Sequence, residues 1–404
     1  MTEDELAQAV RETFARQVVV ANRLVADPAE LAIRRANRSR RRRTLAGVAL
    51  AAVVTATVSA GMAQLSQPGR SDQPIVVLGD QHTSPLPAPS MQLSATPPSV
   101  PAWTEVDFIL HDVLAEAGGK RLALPDVGPA AERAQRLPGR AGWAVVGKPT
   151  AAGRSLWIVS PDGTAHLVLA GALEIALSPD GRQVSWREGA ELAVAGIFGT
   201  QVVAAARTPV APGAVPVGFV GDAVLIRLDP ARDGHALWRP ALGPPRATDD
   251  GALHVYGTRP DGMVVALVVA GTPRRPCVAL LDPGRNLAPA RTGCGPTLDD
   301  DGSGGISVDG RWLLINGTVG RQGRSLLIDL GGFTPAAQAH PAGPPVVGPV
   351  TWTPQGAAHY SDAAGALVRV EASRILAGEA ALPTPVAGLP AGHRPVPVGD
   401  EGRP

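Results

Sequence analysis

A turn glycine followed by an apolar run recurs along the chain, and its spacing constrains the fold more than any other feature. The glycines stand at 142, 181, 221, 262, 310 and 356, so successive intervals are 39, 40, 41, 48 and 46 residues. The clearest unit is Ser178-Pro179-Asp180-Gly181 followed by Arg182-Gln183-Val184-Ser185-Trp186. Related units are Val220-Gly221-Asp222 before AVLIRL, Pro260-Asp261-Gly262 before MVVALVV, Val308-Asp309-Gly310 before RWLLING, and Pro354-Gln355-Gly356 before AAHYSD. Each is a tight turn feeding a strand: Asp tolerates the turn where it is present, and Gly supplies the positive φ.

A second apolar run follows each turn: SLWIVS (155–160), ELAVAG (191–196), HALWRP (235–240), CVALLD (277–282), SLLIDL (325–330) and ALVRVE (366–371). A repeat of roughly 40–45 residues holding several strands marks propeller blades, whose faces are covered only by their neighbours. Before the first counted turn, VDFILHD (106–112) and KRLALP (120–125) supply strands for one more unit. The expectation is a mainly β chain: a β-propeller over 103–395 with seven blades, six being the alternative, and a disordered tail at 396–404. Closure is expected to pair the chain termini within one blade. The SPDGRQVSW stretch resembles the WD40-like repeat of exported TolB-type propellers, and the spacing extends that resemblance over about residues 105–390.

Residues 44–65 read TLAGVALAAVVTATVSAGMAQL, without a charge. A helix of that length spans about 33 Å, enough for a hydrocarbon core of roughly 30 Å. Arg34, Arg35, Arg38, Arg40, Arg41, Arg42 and Arg43 precede it, while Arg70 and Asp72 balance on the far side. Arginine excess retains a flank in the cytoplasm, so Arg40, Arg41, Arg42 and Arg43 act as topology determinants and residues 66–404 lie outside the cell membrane. Val58-Ser59-Ala60 and Gly61-Met62-Ala63 match signal cleavage sites, but signal h-regions run about 7–15 residues behind a short n-region. A single-pass transmembrane helix fits better.

The preceding 43 residues carry ten Arg against six acids. Capping signals at Thr2–Glu5 and Asp27–Glu30, with Leu6, Val10, Phe14 and Val18 on one face, predict a helical cytoplasmic segment. The layout resembles membrane-anchored anti-sigma proteins of high-GC bacteria. Their zinc-binding version needs His and Cys, and residues 1–43 contain neither. Anionic lipid headgroups also attract such arginine clusters, at about 1 kcal/mol per residue. Residues 66–102 carry eight prolines among Ser, Thr and Gln, the composition of an extended extracytoplasmic linker.

Cys277 opens one expected strand and Cys294 ends the next, with the turn at 282–286 midway between them. In an exported hairpin the two lie opposite each other and form a disulfide, worth about 3 kcal/mol for a loop of this size.

No Gly-x-Ser-x-Gly elbow, His-Glu-x-x-His, phosphate loop or dinucleotide fingerprint occurs in the sequence. Asp299, Asp300 and Asp301 lack the distal bidentate Glu of a calcium loop and read as a solvated turn. The eight histidines show no ligand spacing. Seven Trp, five Phe and two Tyr are too few for a base-stacking surface, and the seven Trp fall on or beside strands as inter-blade filling. Asn316-Gly317-Thr318 is a sequon by pattern.

These readings give no catalytic, cofactor or metal residue and no nucleic-acid partner. They point to a membrane-anchored extracytoplasmic propeller that binds an envelope protein or small ligand at its face. Two alternatives carry different chemistry: a transmembrane signalling or anti-sigma-like regulator with a cytoplasmic partner for residues 1–43, and an exported hydrolase or lyase whose site is assembled across blades. Protease added to intact cells is expected to degrade residues 66–404 and to spare a tag at residue 1; digestion of that tag from outside would reverse the orientation.

Overall fold

The computed structural model describes Pro101 and residues 104–229, 233–248 and 251–399. They belong to the second of two units of the chain, Met91–Pro404. The expected cytoplasmic segment, the apolar stretch 44–65 with Arg40–Arg43 before it, and all of the linker except Pro101 lie outside the described residues. Among the described residues, no helix is long and apolar enough to cross a membrane.

The chain runs through one antiparallel meander after another. The first holds β1 (Phe108–Leu110), β2 (Val113–Ala115) and β3 (Arg121–Ala123). The second holds β4 (Ala131–Arg136), β5 (Trp143–Gly147), β6 (Arg154–Val159) and β7 (Ala165–Ala172). Next come β8 (Glu174–Leu177), β9 (Gln183–Glu188), β10 (Glu191–Phe198) and β11 (Gln201–Pro209). They are followed by β12 (Val215–Val220), β13 (Ala223–Arg227), β14 (His235–Trp238) and β15 (Arg246–Ala247). The fifth holds β16 (Ala252–Thr258), β17 (Val264–Ala270), β18 (Arg275–Asp282) and β19 (Ala288–Gly293). In the sixth, β20 (Thr297–Leu298) and β21 (Gly304–Ile306) both pair with β22 (Trp312–Val319), and β23 (Gln322–Asp329) and β24 (Ala339–Gly343) follow. The seventh is β25 (Val347–Trp352), β26 (Ala357–Ser361) and β27 (Leu367–Glu371), edged by a bridge from Leu367 to Thr384.

Finally β28 (Val396–Gly399) returns to the start of the domain. It pairs antiparallel with β1 (Phe108 opposite Pro397, Ile109 opposite Val396) and parallel with β4 (Val398 opposite Ala134, Gly399 opposite Gln135). This joins the first two meanders into one eight-stranded sheet, in the order β3-β2-β1-β28-β4-β5-β6-β7. The first and last strands of the domain thus meet in one sheet, as the repeat reading expects. The expected disordered tail at 396–404 is corrected at its first four residues, which form a strand.

The middle strands of these sheets are buried on both faces, which explains runs such as MVVALVV that do not alternate with polar residues. In β17, Val264, Ala266 and Val268 pack toward β12–β14, while Val265 and Leu267 pack toward β22–β23. In β18, Cys277, Ala279 and Leu281 join the first group, and Val278 and Leu280 the second. Every hydrophobic cluster lies between two meanders that are consecutive around the ring. One of them joins β1 to Leu367 of β27, and another joins β1–β3 to β4–β6 and Val398. Consecutive meanders sharing cores, with the last strand paired to the first, make this domain a β-propeller.

The six turn glycines all occupy the same place, between the first and second strands of a meander. At Gly142 (φ 119°) a Cβ would stand 2.0 Å from the Val159 carbonyl oxygen, and at Gly310 (φ 68°) 2.5 Å from Cδ of Pro260 in the preceding turn. Two of the turns share a side-chain lock. Asp180 accepts from Ser178 Oγ and the Arg182 amide, and Asp309 from Ser307 Oγ and the Arg311 amide. No such glycine precedes β1, because the strand beside it comes from the other end of the chain.

Trp143, Trp186, Trp238, Trp312 and Trp352 are buried between meanders as expected, and Trp157 is half-buried. Cys277 and Cys294 form the expected disulfide, with Cα atoms 4.6 Å apart.

Truncation after Pro395 removes β28. Burying Val398 alone is worth about 2 kcal/mol, and its loss also uncovers the edges of β1 and β4. The truncated chain is expected to lose its cooperative urea transition, followed by tryptophan fluorescence and circular dichroism. A truncated chain that unfolds like the parent would disprove closure by this strand.

Candidate functional site

The closing strands bring a set of charged side chains to one end of the ring. Val106, Phe108 and Leu110 point toward Leu367, whereas Ile109 faces the β4–β6 side. By the two-residue period of a strand, Asp107 shares the side of Ile109 and meets Arg136 at the end of β4. Its Oδ2 accepts from Arg136 Nε (3.1 Å) and Nη2 (2.5 Å) and from Trp143 Nε1 (2.8 Å), and its Oδ1 accepts from the Ala117 amide (3.0 Å). Its side chain is only 5% exposed, so these bonds compensate a buried charge. The Arg136 guanidinium also lies 5.6 Å from the Trp143 ring centroid.

Two residues earlier, Glu105 reaches the opposite neighbour. Its carboxylate accepts from Arg369 Nε (3.2 Å) and Nη2 (2.5 Å) and from Nε2 of the fully buried His359 (3.2 Å). The His359 ring stacks edge-on against Phe108 at 6.0 Å. Glu105 and Asp107 therefore tie the start of the domain to β26–β27 on one side and β4–β5 on the other.

Between these ties opens a cavity of about 810 Å³. Its wall includes Glu105, Asp107, Glu116 and Arg136, and Val398 and Gly399 of β28. Its rim is built from first-to-second-strand turns: Gly139 and Arg140, Val308, and Pro354 with Gln355. Glu116, just after β2, differs from the other acids. Its buried Oε1 accepts no hydrogen bond, and its two ion-pair partners, Lys120 Nζ and Arg136 Nη2, stand off at 3.7 and 3.8 Å.

Burial lowers the His359 pKa to about 4, overriding the hydrogen bond and charge of Glu105 that favour the imidazolium. Burial opposes ionisation of Glu105, but the hydrogen bonds and charges of Arg369 and His359 outweigh it and hold the carboxyl below the usual range. The seam is thus built around a neutral imidazole and an ionised carboxylate.

Charged constellations elsewhere serve the fold. Arg133 and Arg154 bind Glu174 at 2.8 and 3.1 Å, and Arg154 also binds Glu132, which links β4, β6 and β8. Asp300 and Asp301 are exposed in the β20–β21 connection, in line with a solvated turn. Asp301 accepts from the Ser303 amide and from Asn316 Nδ2 (2.8 and 2.7 Å). Burial, then the charges of Asp301 and Asp300, raise the Asp299 pKa. Asn316 is 3% exposed, and its amide is engaged by Asp301 and both backbone groups of Val346, so the sequon is structural. Among the described residues, no three His, Cys, Asp or Glu side chains group as metal ligands.

Sequence reasoning named the disulfide but missed Glu105, Asp107, Glu116, Arg136 and His359. The one available signal was Glu105 and Asp107 alternating with Val106 and Phe108 at the entry to the first strand.

No family model matches this sequence, and no curated protein matches it. Solved structures do match. A protein of unknown function from Desulfotomaculum acetoxidans is 11% identical, covering 74% of this chain and 100% of its own, with a TM-score of 0.48. TolB from Acinetobacter baumannii is 13% identical over 71% of this chain and 77% of its own, with a TM-score of 0.41. The Cps50 (Swd1) β-propeller domain of Myceliophteria thermophila is 12% identical over 68% and 90%, with a TM-score of 0.43. Likenesses this distant assign no function.

The seam carries a pH dependence. His359 titrates near 4 when folded and near 6.5 when unfolded, so between these values the unfolded chain binds the extra proton. The contribution is complete above pH 6.5 and declines as pH falls toward 4, by roughly 3 kcal/mol in all. His359→Gln keeps a donor for Glu105 and is expected to flatten this decline in urea unfolding at pH 7.5, 5.5 and 4.5. Parallel pH curves for variant and parent would refute the assignment.

Proposed function

We propose that this chain is a single-pass membrane protein with a cytoplasmic N-terminus, and that its exported propeller is a binding module of the cell envelope. In this reading Arg40–Arg43 hold the N-terminus inside, residues 44–65 cross the membrane and the Pro-rich linker sets the propeller away from the surface. The ring has seven blades. Support comes from the hydrophobic clusters between consecutive meanders and from the eight-stranded sheet, whose halves divide at the β28–β4 pair into four strands each. The SPDG turn supports a TolB-like kind of propeller.

The observation that carries the binding reading is the cavity at the seam. It is large enough for a peptide side chain or small ligand and is rimmed by turns from separate meanders. The acids with the strongest partners in its wall, Glu105 and Asp107, hold the ring together. A carboxylate fixed by arginines is poorly placed to exchange protons with a substrate, which favours recognition over hydrolysis.

A photo-crosslinking residue at Gln355 or Gly118, beside the cavity, tests this in the full-length chain in intact cells. Discrete protein adducts are expected there and not from a residue placed at Arg246 on the outer strand β15. Equal adducts from all three positions, or none, would count against a binding module.

A further inference from the structure

The chemistry of the occupant follows from which wall groups already have partners. Asp107 accepts four hydrogen bonds, and Glu105 is held by Arg369 and His359. Arg136 turns its Nε and Nη2 to Asp107. Glu116 has a carboxyl on the cavity wall and a side chain 21% exposed, yet its buried Oε1 accepts no hydrogen bond. The ammonium of Lys120 is drawn to the Pro161 carbonyl at 2.6 Å and stays 3.7 Å from it, and Arg136 Nη2, held by Asp107, stands at 3.8 Å, so both cations are ion pairs without a hydrogen bond to Glu116. A partly buried carboxylate without donors is costly, and a charged donor reaching it is favoured.

Two further features set the sign and shape of the occupant. The lining carries three acids (Glu105, Asp107, Glu116) against two arginines (Arg136, Arg140), a net charge of −1. Val308, 41% exposed, and the exposed Pro354 offer apolar surface at the rim, where Gly118 and Gly139 add no side-chain bulk. An apolar stem with a cationic head matches this order of surfaces, as the long side chains of Lys and Arg do.

We propose that the cavity receives the arginine or lysine side chain of a protein partner, its methylene stem against Val308 and Pro354 and its charged head on Glu116. The inference rests on the binding-module reading and names the group that the module recognises. Guanidinium is the better fit, because its forked donors meet both carboxylate oxygens at once.

The test titrates the full chain in mild detergent with N-acetyl-arginine amide, and in parallel with the uncharged N-acetyl-citrulline amide. Saturable millimolar binding of the arginine probe is expected, with citrulline at least about tenfold weaker. Glu116→Gln is expected to weaken the arginine probe by a similar factor. Val308→Lys, at an exposed position, is expected to abolish binding by placing a competing cation at the rim, and it decides the matter should Glu116→Gln not fold. Citrulline binding equal to arginine, or an arginine probe indifferent to both substitutions, overturns the proposal. Absence of probe binding while crosslinks from Gln355 and Gly118 persist overturns this inference alone. Absence of both overturns the binding module with it.

Discussion

Everything in this domain depends on the pairing of β28 with β1 and β4. Each meander has two apolar faces and covers neither by itself, so the cores exist only between neighbours. An open array would leave two such faces in water, one at each end. The four residues Val396–Gly399 bring the last meander back to the first, through hydrogen bonds to β1 and β4, and Leu367 then packs with Phe108 and Leu110 so that the two end faces cover each other. Asp107 adds a polar clasp to this join: Arg136 and Trp143 bind its side chain, and the Val398 amide donates to its backbone oxygen. Closure and the wall of the cavity are therefore made of the same residues.

This sharing bears on the chemistry. In many propellers loops of unrelated blades meet over the channel, and function is placed there without much effect on stability. Here the deepest charged groups of the cavity are also structural, so substitution of Asp107 or Arg136 would confuse loss of binding with loss of fold. Glu116 and the rim residues stand apart, since nothing in the closure depends on their hydrogen bonds. The neutral His359 adds a condition, because the seam is tightest where imidazole is unprotonated.

Much of the fold was legible because it is written locally. A positive-φ glycine ahead of an apolar run marks a turn whatever surrounds it, and all six such turns fell at one structural position. The Cys277–Cys294 pair was legible for the same reason, since a hairpin places its own ends opposite each other. What escaped was non-local. Val-Pro-Val-Gly in a Pro- and Gly-rich tail carries no strand signal of its own and becomes a strand because β1 and β4 offer it two edges. β2 is three residues long, and the inner strand of the sixth meander is broken into β20 and β21 around the aspartate turn. Asp107 reads as a surface acid until Arg136, 29 residues later, is brought beside it.

The same join has a consequence in time. A chain that leaves its site of synthesis N-terminus first delivers β1 before every other strand of this domain and β28 after them. Phe108 and Ile109, fully buried in the finished ring, have β2 on one edge and no strand on the other while nearly three hundred residues follow them. Pairing across such a sequence separation is slow, because the loop must be closed before the contact rewards it. The domain is thus assembled as an unclosed arc that becomes a ring only when its final residues arrive, and the interval before that arrival is when it is most open to wrong association.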